Sequence, residues 1–152
     1  EVQMVEFPLS EMIQEMVGSF QTLAISRGKE LEYQIELMVS LSGSSKDIQR
    51  LISILLDNAV KYTNEGGQIF LRLTRKGNQK ILTIFNTVDE IDVEQVPHLF
   101  DRFYRLDASR NKETGGYGIG LSIAQAVVQM HKGKITAESP DGKSLTIKVT
   151  FS

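Results

Sequence analysis

The sequence predicts a two-layer α/β sandwich, three main helices lying on one face of a mixed sheet of about five strands. Two kinds of apolar spacing point that way. Three segments repeat their apolar residues at helical intervals, and about five alternate them in the period of a half-buried strand. The two kinds arrive mixed along the chain rather than in strict alternation, which points to a mixed sheet with the helices on one face. Neither a low-complexity stretch nor a repeat nor a linker interrupts the 152 residues. The chain therefore reads as one domain over residues 1–152, a length within the usual range of roughly 100–200 residues.

Taken in order, Met4–Phe7 is a short strand candidate. Pro8-Leu9-Ser10-Glu11 then opens a helix carrying Met12, Ile13, Met16, Phe20, Leu23 and Ala24, with Gly28 where a stop belongs. Leu31–Val39 alternates through Tyr33, Ile35 and Leu37 and reads as one strand. Ser44-Ser45-Lys46-Asp47 caps a second helix whose face is Ile48, Leu51, Ile52, Leu55, Leu56, Ala59 and Val60. Gln68–Thr74, a Gly77-Asn78 turn and Lys80–Phe85 form a hairpin. Val96, Leu99, Phe100 and Phe103 make a short amphipathic piece. A third helix begins near Ile119 and runs to His131, and Gly133 ends it. Lys134–Glu138, the Pro140-Asp141-Gly142 turn and Leu145–Phe151 close the chain as a second hairpin.

Composition narrows the function. Seventeen basic against nineteen acidic side chains leave a net charge of −2, without the basic excess of a nucleic-acid binder. The absence of cysteine excludes disulfide scaffolds, thiolate metal sites and cysteine nucleophiles, and two histidines offer little to zinc. No run approaches 18 apolar residues, so a soluble, cytoplasmic domain is expected.

Three segments carry chemistry. Gly115-Gly116-Tyr117-Gly118-Ile119-Gly120 leads straight into a helix, where glycine lets backbone approach a ligand and free N–H groups attract phosphate. It lacks the Gly-Lys-Ser/Thr of a P-loop, and no strand directly precedes it as a dinucleotide fingerprint requires. In Asp57-Asn58-Ala59-Val60-Lys61-Tyr62-Thr63, residues Asn58, Lys61 and Tyr62 share one helical face. They combine a neutral oxygen suited to hydrated magnesium with a lysine and a hydroxyl suited to phosphate. Such a polar stripe is also the ordinary solvated side of an amphipathic helix. Phe100-Asp101-Arg102-Phe103-Tyr104-Arg105 packs its phenylalanines inward and leaves Arg102, Arg105 and Arg110 to reach a phosphate.

In their order and spacing these segments resemble the catalytic and ATP-binding domain of bacterial sensor histidine kinases, part of the superfamily shared with gyrase and mismatch-repair ATPases. Leu51–Thr63 is similar to that family's asparagine box, Phe100–Arg105 to its phenylalanine box, and Gly116–Leu121 to its second glycine box. The resemblance, spanning about Phe7 to Phe151, implies a Bergerat-type ATP-binding fold with ATP and magnesium as cofactors. Asn58 would ligate the magnesium bridging the phosphates, and Lys61 and Tyr62 would contact phosphate or ribose. The backbone of Gly116, Tyr117, Gly118, Ile119, Gly120 and Leu121 would cradle phosphates. Arg105 would neutralise charge on the γ-phosphate, Arg102–Gly118 would form the lid, and Ser144 would stand for a thin third glycine box. Asn86 would face adenine in place of the family's aspartate, retaining an acceptor without its charge.

The sequence also departs from the family. Both glycines of the first glycine box are replaced, by Val88 and Glu90, and Ile54 stands where ATP-hydrolysing relatives carry a general-base glutamate. Ile54 favours phosphoryl transfer over hydrolysis and disfavours a serine kinase of the anti-sigma type. Neither His98 nor His131 is followed by an acidic residue, so both read as structural. The phosphoacceptor histidine is expected on a separate helical dimerisation domain, a response regulator acting downstream and a membrane-attached parent upstream of it. The altered first glycine box leaves one alternative, a degenerate nucleotide-binding regulatory module with weak or no transfer.

Overall fold

A computed structural model describes residues 3–101 and 120–152. Among them, five strands form one sheet in the order β2-β4-β5-β7-β6, and two more form a separate pair, β1-β3. The strands are β1 (Val5–Pro8), β2 (Glu30–Ile35), β3 (Ser40–Gly43), β4 (Gln68–Lys76), β5 (Gln79–Thr87), β6 (Lys134–Glu138) and β7 (Ser144–Phe151). The helices are α1 (Leu9–Ser26), α2 (Ser45–Tyr62) and α3 (Gly120–Met130), with a 3₁₀ turn at Val93–His98. β2 runs parallel to β4 while β4, β5, β7 and β6 pair antiparallel, so the sheet is mixed as expected.

Alternation decides the layers. Leu31, Ile69, Leu71, Leu73, Leu82, Ile84, Leu145, Ile147, Val149 and Phe151 point to one face and are buried. Their neighbours Arg72, Thr83, Thr146 and Lys148 face outward and stay exposed or half-buried. Helices cover the inner face only. α2 is the central helix, burying Ile48, Leu51, Ile52, Leu55, Leu56, Ala59 and Val60. A fully buried side chain of this kind contributes about 1.5–3 kcal/mol, so the row down α2 dominates the core. Ser44 starts the helix as its N-cap, its hydroxyl accepting from Asp47 N at 3.3 Å.

One expectation is corrected. Leu31–Val39 is not one strand: the chain leaves the sheet after Ile35 and turns through Leu37 and Met38 before β3. The cause lies in α1. Ser10 Oγ donates to Glu36 O at 2.6 Å and accepts from Val39 N at 2.9 Å, while Ser10 N donates to Val39 O at 3.1 Å. Met38 takes the left-handed φ of 65° that the turn needs, and Leu37 and Met38 are left 76% and 88% exposed. Val39 is buried again because β3 pairs with β1, not with β2.

Smaller shifts concern ends. The first strand and first helix lie a residue or two from their expected limits, and the amphipathic piece is a 3₁₀ turn that buries Val96, with Leu99 and Phe100 buried just after it. Arg102–Ile119 lies outside the described residues, so the start of the third helix is seen from Gly120. At the sheet edge, Gln21 of α1 donates from Nε2 to Leu31 O of β2 at 3.0 Å, and Gln14 donates to the Tyr33 hydroxyl at 3.2 Å.

One histidine joins two elements. His131 accepts from Ser44 N at Nε2, 3.0 Å away, and its Nδ1 lies 2.8 Å from Val127 O. A carbonyl only accepts and an amide N–H only donates, so the two bonds together require the neutral, Nδ1-protonated ring. The imidazole also sits edge-on to Phe151, ring centroids 6.0 Å apart. It ties the C-terminal end of α3 to the start of α2. His98 Nδ1 meets Asp101 Oδ2 at 3.0 Å.

Candidate nucleotide site

The last two turns of α2 present Asn58, Lys61 and Tyr62, all half-buried, on the flank the helical spacing predicts. Asn58 donates from Nδ2 to Ile54 O at 2.9 Å, within its own helix. That bond aims the amide, and the remaining oxygen has no partner among the described residues. α3 begins directly against it: a Cβ on Gly120 would lie 3.7 Å from both Asn58 Nδ2 and Ile54 Cγ2. Lys61 pairs with Asp57 one turn back at 3.0 Å, Asp57 being the more exposed partner. Such a pair contributes only a few tenths of a kcal/mol, so it parks Lys61 without holding it. Leu121, half-buried, follows Gly120 in the first turn of α3.

A second group gathers at the end of β5. Asn86 is 3% exposed and points to the helix side with Leu82 and Ile84. Its Nδ2 donates to Thr87 O at 3.1 Å. Thr87 is a junction: its hydroxyl donates to Asn64 Oδ1 at 2.8 Å and accepts from Gln68 N at 3.0 Å. The loop after α2 is thereby fastened to the strand that carries Asn86. Gly67 lies so close that a Cβ there would fall 2.4 Å from Thr87 Oγ1 and 2.6 Å from Asn64 Oδ1. Only glycine fits.

The α2 end is braced from the other side by Lys29, whose ammonium donates to Val60 O. Burial first, and Arg27 second, hold the Lys29 ammonium below its usual range, while Glu65 opposes the shift. Lys29, Asn64 and Thr87 were not singled out by sequence reasoning. Asn64 and Thr87 adjoin motif residues and could have been suspected on that ground. Lys29 acts on a carbonyl 31 residues away, and no local pattern encodes that.

The segment that replaces the first glycine box is anchored to the β6–β7 turn. Val88 N donates to Lys143 O at 3.0 Å and Ile91 N to Gly142 O at 2.8 Å. Val88 and Ile91 are both buried. Where the family carries a glycine, the Val88 side chain is buried in the core. Ser144 pairs with Thr87 across the β5–β7 ladder, which brings it to the same end of the sheet as Asn86. Its hydroxyl, however, donates to Asp141 Oδ1 at 3.1 Å within the turn. Asp141 also accepts from Lys143 N at 2.9 Å, and that backbone bond first of all lowers its carboxyl below the ordinary aspartate range. Arg105, Gly116, Tyr117, Gly118 and Ile119 lie outside the described residues.

Asn58 lies under the start of α3, and Asn86 lies at the end of β5, the middle strand of the mixed sheet. The family model described as histidine kinase-, DNA gyrase B- and HSP90-like ATPase matches residues 43–152, and the chain belongs to that family. It is 35% identical over 136 residues to the sensor histidine kinase RppB of Synechocystis sp., covering 89% of this chain and 30% of that protein. It is 32% identical over 134 residues to the signal transduction histidine-protein kinase BaeS of Escherichia coli, covering 87% of this chain and 29% of that one. The chain thus spans less than a third of the curated relatives it matches. Among solved structures, the catalytic domain of histidine kinase ThkA superposes with a TM-score of 0.84 at 20% identity, over 99% of this chain and 95% of that one. The mycobacterial sensor histidine kinase MprB gives 0.83 at 23% identity, over 96% of each chain. The fold is that of histidine kinase catalytic domains.

Proposed function

We propose that this chain is a single catalytic domain that binds Mg-ATP and donates the γ-phosphate to a histidine on a separate helical dimerisation domain of a two-component sensor kinase. The observation that carries this reading is Asn58, whose side chain lies beside Gly120 of α3 and whose amide oxygen is unpartnered among the described residues. A lone neutral oxygen is a poor all-protein metal site, and no cluster of three or more acidic or histidine ligands occurs among the described residues. It suits magnesium, which keeps most of its water and takes its other ligands from phosphate. When bound, the ion neutralises phosphate charge. The rest falls to this chain's residues: Lys61 and Tyr62 toward phosphate or ribose, the backbone from Gly116 to Leu121 around the phosphates, and Arg105 on the γ-phosphate. Ser144 lies at the rim, beside the base end at Asn86.

Phosphoryl transfer forms a bond from an imidazole nitrogen to the γ-phosphorus and breaks the bond to the bridging oxygen, with ADP leaving. Such a reaction needs positioning and charge stabilisation more than a base. Ile54, whose carbonyl aims Asn58, has no proton to exchange. Neither histidine is followed by an acidic residue, and His131 is engaged at both ring nitrogens, so the acceptor belongs on another domain, with a response regulator after it.

Calorimetric titration with Mg-ADP and Mg-ATP tests the binding step. Heat at micromolar to millimolar nucleotide is expected, weakened most strongly by removing magnesium or by Asn58→Asp. Absence of binding at millimolar nucleotide sinks the reading. A second reading, a regulatory module with little transfer, is favoured by the buried Val88 and the pinned segment after it. It prevails if the parent protein binds ATP yet never autophosphorylates.

A further inference from the structure

We infer that Lys29 is a positioning residue for the nucleotide, acting through the Val60 carbonyl to hold the last turn of α2, with Lys61 and Tyr62, in place. The inference rests on the nucleotide-binding reading above and deepens it. A helix leaves the carbonyls of its last turn without partners in its own ladder. In α2 the final ladder bond runs from Thr63 N to Ala59 O at 3.0 Å, and the Thr63 hydroxyl turns back to the same oxygen. Thr63 itself is extended, with φ −65° and ψ 137°, so the chain leaves the helix there. The next carbonyl, Val60 O, is met instead by the Lys29 ammonium.

That contact is built into the fold. Lys29 stands in the turn between α1 and β2, and the backbone on either side of it is bonded to the loop after α2. Gly66 N donates to Gly28 O at 2.8 Å, and Glu30 N donates to Gly67 O at 3.0 Å. Lys29 is half-buried, and burial disfavours its charge. The negative pole of a helix C-terminus offsets that cost. The consequence falls on Lys61, the basic residue in the last turn of α2. Lysines so placed tend to bond the open carbonyls of their own helix. With Val60 O taken by Lys29, Lys61 is left to its weak pair with Asp57, from which it can turn to a phosphate. Tyr62 ends α2 and moves with the turn that Lys29 holds. A cation at this helix end also lessens its repulsion of a polyphosphate.

Calorimetric titration with Mg-ADP tests the inference. Lys29→Met should weaken binding about five- to twentyfold, the scale of one lost charge-assisted hydrogen bond. Lys29→Arg, which keeps a cationic donor, should recover most of that loss, and no recovery counts against the inference. With Lys61→Ala and Tyr62→Phe already in place, Lys29→Met should cost less than about twofold more, because the groups it positions are gone. A residue that merely stabilised the fold would show no such coupling. Unchanged affinity in Lys29→Met, or a penalty that stays whole in the Lys61→Ala/Tyr62→Phe chain, overturns the inference and leaves nucleotide binding standing. Should a circular dichroism melt show Lys29→Met unfolded, Lys29→Gln carries the same comparison with the same direction expected. Failure of the unsubstituted chain to bind overturns the nucleotide reading and the inference with it.

Discussion

Asn58 and Asn86 put one rule to the same use, that an amide has two faces and the fold can claim one. In each, a backbone carbonyl takes the NH₂ and the oxygen remains. Replacing Asn58 by aspartate removes the donor that aims it, so magnesium-dependent affinity should fall by at least about tenfold, the equivalent of roughly 1.4 kcal/mol. Titrations with and without magnesium measure it. Gly67 makes a sharper stability prediction. Gly67→Ala places a methyl against Thr87 and Asn64, and overpacking of that kind costs about 1–3 kcal/mol. Chemical denaturation should show it as a lower midpoint. An unchanged midpoint would mean that the Asn64–Thr87 contact yields freely.

Whole elements were legible where their own residues decided them. α2 could be read from Ser44 to Thr63 because its cap and its apolar period both lie within it. β4, β5 and β7 were found because one face of each is buried. The break after Ile35 was not legible, because it is made by Ser10, a helix away in sequence, and period-two alternation survives the turn. The site divides similarly: Asn58, Lys61 and Tyr62 follow from helical spacing, whereas the brace Lys29 follows from a tertiary contact alone. The tie between α3 and α2 belongs to this scale. His131→Ala leaves Ser44 N without its acceptor and should cost about 1–3 kcal/mol in denaturation. Phosphorylation of a supplied acceptor domain should persist in it, and a transfer assay checks this. The β6–β7 turn predicts an acid limb. Asp141 has its folded carboxyl lowered, so its stabilisation is present above the ordinary aspartate range and fades as pH falls through the folded value. Asp141→Asn should flatten that limb in acid melts.

For the molecule as a whole, binding and stability are one measurement. A ligand of the folded chain at a hundred times its dissociation constant adds about 2.7 kcal/mol. At roughly 2–4 °C per kcal/mol for a chain this size, saturating Mg-ADP should raise the melting temperature by about 5–11 °C. No helix among the described residues is long and apolar enough to cross a membrane. The mixed sheet has a further effect through β2. A parallel edge strand leaves one row of backbone groups facing away from its only neighbour, a template on which another chain could grow a sixth strand. Here Gln21 already occupies the Leu31 carbonyl and Gln14 the hydroxyl of Tyr33. Gln21 of α1 thus blunts that edge against intermolecular pairing at Leu31.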